Sequence, residues 1–139
     1  ASIIELGSSG TASVVGSMAN AYWDPDPNMN PSCSYIGTQR VWYSLIGTGE
    51  VYAISTCSSV LNFDSDLSVM TGNCESLECL IPGFSARYDC PEASYRAGRT
   101  LLPTEIGVEY FIAVQATGNT LDGNFSLNIS IFEPLPNDD

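Results

Sequence analysis

The side chains that could do chemistry in this chain are carboxylates, hydroxyls and thiols, because its 139 residues hold no His, no Lys and only Arg40, Arg87, Arg96 and Arg99 as cations. Ser-His-Asp, Cys-His and Ser-Lys nucleophiles are therefore ruled out, and an unassisted Ser is a poor nucleophile near neutral pH. Asp64 and Asp66 are spaced as a carboxylate pair, the minimum that glycoside hydrolysis requires. They stand at the entrance to an apolar Leu-Ser-Val run, however, and read as a solvated strand entrance. Asp24, Asp26, Asn28 and Asn30 place oxygen ligands at alternate positions, like the opening of a calcium loop. Met29 and Tyr35 occupy the positions where such a loop has Gly and an acid, and Pro25 and Pro27 stiffen it, so an ordinary Asp/Pro/Asn turn cluster competes with calcium. Calcium is the one cofactor these residues suggest.

The five cysteines are Cys33, Cys57, Cys74, Cys79 and Cys90, set in a Ser/Thr/Gly/Asn-rich chain, which is the usage of an oxidising compartment. Zinc is disfavoured, since Cys74 and Cys79 have no second Cys pair nearby and no His. Two bridges and one leftover thiol are expected. Spacing leaves two arrangements open: Cys33–Cys57 with Cys74–Cys79, or Cys79–Cys90 with Cys74 left over.

The formal charge is -12. A chain so acidic repels nucleic acid and anionic lipid, which excludes the phosphate-gripping functions. No stretch approaches the ~20 apolar residues that span a bilayer. Opening at Ala1 with no charged-then-apolar leader, the chain reads as a processed, secreted protein.

The elements that would position these residues are strands. VWYSLIGTGEVYAIST, residues 41–56, reads as two strands in a short-loop hairpin about Gly47, Thr48 and Gly49. Residues 124–131 alternate strictly, with Phe125, Leu127, Ile129 and Ile131 on one face and Asn124, Ser126, Asn128 and Ser130 on the other. Residues 108–116 precede them, with TGNTLDG as the turn between; residues 67–70 and 77–81 flank a turn at TGNCES; residues 3–6 and 11–15 are also strand-like. No window shows a helical stripe. Short strands with turn chemistry between them predict an all-β, jelly-roll-like antiparallel β-sandwich of about eight strands, one domain over residues 1–139.

The runs VWYSLIGTGEVYAISTC, FDSDLSVMTGNC, LECL and GVEYFIAVQATGNTLDGNFSLNIS resemble, in order and spacing, the pre-peptidase C-terminal domain family. The resemblance extends over residues 1–132. It implies a jelly-roll-like sandwich and a secreted accessory or surface module that binds polymers or proteins and carries no catalytic residues. Where the family has an acidic turn after the Leu-x-Cys strand, this chain has residues 82–89 with Arg87, so the resemblance carries no cation site across.

Asn124 and Asn128 each open an N-glycosylation sequon on the polar face of one strand. Tyr22, Trp23, Tyr35, Trp42, Tyr43 and Tyr52 concentrate aromatics in the first half, where they would form either core or a platform for sugar rings. Residues 1–10 pair a β-prone segment, Ile3, Ile4 and Leu6, with a Gly/Ser hinge, which is what strand exchange between subunits requires. The expectation is a non-enzymatic extracellular structural subunit, joined to other copies of itself by β-strand addition. The competing expectation is a monomeric accessory module of a secreted enzyme that binds glycans or another extracellular polymer.

Overall fold

Period-two alternation of apolar and polar residues becomes strand wherever the structure describes it. The computed structural model describes residues 2–3, 10–20, 22–23, 39–73, 76–81, 87–91, 95–116 and 123–132. Its elements are β1 (Ser2–Ile3), β2 (Thr11–Ser17), a 3-10 turn (Met18–Asn20), β3 (Tyr22–Trp23), β4 (Gln39–Ile46), β5 (Val51–Ser55), β6 (Ser65–Asn73), β7 (Ser76–Ile81), β8 (Arg87–Asp89), β9 (Arg96–Pro103), β10 (Glu109–Ala116) and β11 (Asn124–Ile131). One sheet runs β4-β10-β6-β7, with β1 and β3 both on the outer edge of β4; the other runs β2-β11-β5-β9-β8. Once the two- and three-residue strands are set aside, eight remain among the described residues. Their order is that of a jelly roll, each sheet interleaving strands from both halves of the chain.

Between the sheets lies the core. Tyr43, Leu45, Leu67, Val69, Ile112 and Val114 of the first sheet face Tyr52, Ile54, Phe125, Leu127 and Ile129 of the second, and all are buried. Phe125 meets the edges of Tyr43 and Phe63 at ring-centroid distances of 6.3 and 6.4 Å. Removing Tyr43 from water pushes its hydroxyl pKa up.

The structure corrects the hairpin expected over residues 41–56. Strands β4 and β5 lie in different sheets, and the segment between them is a corner that crosses the sandwich. Gly47 N donates to Val108 O at 2.8 Å, Gly107 N to Gly47 O at 2.9 Å, and Thr104 N to Glu50 O at 3.1 Å, so the corner is tied to the loop entering β10. The physical reason is that alternation reports a half-buried strand without saying whether its neighbour in sequence lies beside it or opposite it, about 10 Å away across the core. The same holds for β10 and β11, which sit in different sheets, whereas β6 and β7 do form the expected antiparallel pair, from Asn73↔Ser76 back to Val69↔Ile81 with a register shift between Val69 and Met70.

The cysteines are also corrected. Cys57, just past β5, is bonded to Cys90, just past β8, with Cα atoms 5.4 Å apart, and Cys79 is bonded to a cysteine outside the described residues. Both Cys33–Cys57 and Cys79–Cys90 are therefore wrong. Cys33–Cys57 assumed the hairpin, and Cys79–Cys90 rested on spacing alone, which does not fix connectivity; with β5 in the second sheet, Cys57 lies one strand away from the end of β8. Spanning 33 residues, the bridge removes loop entropy worth about 3–4 kcal/mol from the unfolded chain. Replacing both Cys57 and Cys90 by Ser should lower unfolding stability by about that amount in urea titrations.

Candidate functional site

The flank of the sandwich that carries β1, β4 and β2 gathers the residues the assembly reading needs. On its inner side β4 pairs with β10 along its length, from Arg40↔Gln115 to Ile46↔Glu109. Its outer edge meets two fragments only among the described residues. Antiparallel β3 pairs Tyr22↔Arg40 and Trp23↔Gln39, while β1 pairs in parallel, Ser2↔Tyr43 and Ile3↔Ser44. A net backbone hydrogen bond is worth about 1 kcal/mol, so the backbone bonds of a two-residue bridge contribute only a few kcal/mol to holding β1.

From β1 in the first sheet the chain reaches β2 in the second through Gly10, whose φ of 74° lies in the left-handed region. A Cβ at Gly10 would also stand 2.2 Å from Ile131 Cδ1, so a larger residue there would have to displace the end of that side chain. Strand β2 pairs with β11 along its whole length, Thr11↔Ser130 to Ser17↔Asn124. Gly16 packs so closely that a Cβ would lie 2.4 Å from Phe125 Cζ and 2.6 Å from the Tyr43 hydroxyl, which places β2 directly opposite β4. The edges of both sheets therefore share this flank.

Much of the face of the first sheet turned away from the core is buried as well. Arg40, Ser44, Asp66, Ser68, Met70, Ala113 and Gln115 are all buried there, and Trp42, Phe111 and Cys79 pack partly buried around Met70 and Ala113. Arg40, Gln115 and Asp66 form one row across β4, β10 and β6, with Gln115 facing Arg40 on one side and Asp66 on the other. Arg40 Nε donates to Gln115 Oε1 at 2.9 Å. Gln115 Nε2 and Ser68 Oγ, one row apart, are buried with no hydrogen-bond partner among the described residues. The row balances a cation against a carboxylate within about 10 Å, and reads as a register lock: a slip of one residue would turn both charges into the apolar core.

The expected site residues fall as follows. Ile3 is in β1; Ile4 and Leu6, the candidate calcium ligands Asp24, Asp26, Asn28 and Asn30, and Cys33, Cys74 and Tyr35 lie outside the described residues. Asp64 and Asp66 do not form a pair. Exposed Asp64 accepts the backbone N–H of Arg96 at 2.8 Å and so anchors the start of β9. Asp66 is fully buried, which overturns the solvated reading; its position in β6 turns it away from the core onto a face that is itself withdrawn from water. Tyr43 and Tyr52 are core and Trp42 is half-buried against Met70, so these three form no exposed row. Arg40 and Gln115 escaped sequence reading, although a lone polar residue at the end of FIAVQ was a visible signal.

The two sequons differ. Asn124 is exposed, whereas Asn128 is held on all sides: its Oδ1 accepts from Ser13 Oγ at 2.8 Å and Ser126 Oγ at 3.1 Å, and its Nδ2 donates to Cys57 O at 3.2 Å and Ser126 O at 3.3 Å. The chain matches no family model, and a search of curated proteins returns no match.

Two outcomes are expected. Glycopeptide mass spectrometry of material from a glycosylating host should find glycan at Asn124, and finding it at Asn128 alone would contradict the hydrogen-bond argument. In urea titrations, Gln115→Leu should cost about 2–3 kcal/mol by stranding the buried Arg40 Nε. Adding Arg40→Met to it should cost less than the sum of the two single changes, as expected for coupled buried partners.

Proposed function

We propose that this chain is a non-enzymatic structural module of an extracellular assembly, joined to other copies of itself by addition of the N-terminal strand. The observation that carries the reading is β1: two residues pairing in parallel on the outer edge of an eight-residue strand, weakly enough to be replaced by the same segment of a neighbour. Exchange keeps the pairing already made within the chain and adds a connection between chains, and Gly10 supplies the hinge.

The extracellular setting is supported by the bonded cysteines Cys57, Cys90 and Cys79, which suit an oxidising compartment. Resemblance to the pre-peptidase C-terminal domain family supports a secreted module without catalytic residues. The absence of His and Lys from the sequence removes the common nucleophile and base chemistries. The role of Asp64 at β9 gives one of the two carboxylates spaced as a pair, Asp64 and Asp66, a structural task.

Removal of residues 1–10 tests the proposal. Full-length protein should form polymers visible by negative-stain microscopy, and the shortened chain should stay folded and monomeric and bind a synthetic peptide of residues 1–10. A shortened chain that polymerises like the full one would refute strand exchange.

A further inference from the structure

The second sheet ends on β2, a seven-residue strand whose sequence, TASVVGS, has none of the devices that protect an open edge. It carries no charge, no Pro and no bulge, and its register with β11 is unbroken. Over residues 12–17 its other edge has no partner strand among the described residues. Val15, on the outer face of this sheet, is 74% exposed.

The charge distribution says what can approach this edge. The chain carries -12, so two copies repel each other over most orientations. Yet no residue of β2, of the Met18–Asn20 turn or of β11 is charged, while the exposed acids among the described residues, Glu50, Asp64, Glu78, Glu105 and Glu109, lie on other elements. The opposite flank is different: β7 shows exposed Glu78, and β8 is three residues long with Arg87 and Asp89 at its ends. A neutral, unprotected edge on an acidic chain suits another copy of the same edge.

We infer that β2 pairs antiparallel with β2 of a second copy about a two-fold axis at Val15, extending the second sheet across both molecules. Symmetry then sets the partners: Val15 beside Val15, Val14 beside Gly16, and Ser13 beside Ser17. The two exposed valines cover each other on the outer face, and on the inner face Val14 of one copy stands beside Gly16 of the other, whose side is already filled by Phe125 and Tyr43. The pairing stands independently of strand exchange by β1, since it uses only residues of β2.

Cysteine cross-linking tests the axis. Directly opposed residues of an antiparallel pair have Cα atoms about 4.5–5.5 Å apart, within disulfide reach, whereas residues two positions from the axis are about 13 Å from their own copies. Full-length Val15→Cys, mildly oxidised, should give roughly tenfold more disulfide-linked dimer than Ser13→Cys or Ile106→Cys, with the link between the two introduced thiols assigned by peptide mass. Ile106, 81% exposed on the loop between β9 and β10, reports random collision. Circular dichroism of each variant confirms the fold. Val15→Cys linking no more than Ile106→Cys would overturn the proposal, and strongest linking at Ser13→Cys would overturn the axis. Because residues 1–10 are intact in every variant, a negative result leaves the β1 proposal standing, and failure of β1 exchange leaves this one standing.

Discussion

A buried charge must be answered by other buried groups, and in this sandwich that requirement falls on Arg40. Its strand lies in a sheet that is buried over much of both faces, with Tyr43 and Leu45 against the core and Ser44 buried on the other side. The hydrogen bond from Arg40 to Gln115 ties β4 to β10, and Asp66 continues the same row on β6. With these three strands in register, the inward residues of β4, β10 and β6 all face the core they share with β5 and β11. Apolar burial supplies most of the stabilisation. The polar row adds directional pairing, which apolar contacts lack.

How far the sequence could be read follows from what alternation encodes. Period two located β4, β5, β6, β7, β10 and β11 and identified the inward residues of β11 as Phe125, Leu127, Ile129 and Ile131. It does not encode sheet membership, so the corner at Gly47 passed for a hairpin and Cys57 was sent to the wrong partner. The fate of Asp66 was hidden for a related reason: a sheet with one wet face and a sheet with two dry faces give the same pattern until the second face is seen. The weak edge at β1 was legible in part, because Ile3 followed by a Gly/Ser stretch is both β-prone and hinged. The attachment to β4 was not, since a parallel contact across some forty residues leaves no local trace.

The two flanks of the sandwich are unequal in chemistry. One ends on β7 and β8, where Glu78, Arg87 and Asp89 mark the edges with charge, the usual way of discouraging unwanted pairing. The other joins the marginal contact of β1 to the uncharged run of β2 and holds both against one core through Tyr43 and Phe125. Both proposed contacts between copies lie on this flank, so acidity elsewhere on the surface keeps chains apart except where their edges are alike.

Tension gives the Cys57–Cys90 bond a second meaning. A chain unravelled by force lengthens by about 3.4 Å per residue, so the 33-residue span it closes would otherwise release roughly 110 Å of slack. With the bond intact that slack is held to the 5.4 Å between the two Cα atoms. The ring so formed contains β6 and β7 of one sheet and β8 of the other, while β1 and β2 lie outside it. Load entering at the N-terminal flank therefore meets an extensible portion first and a covalently limited one behind it.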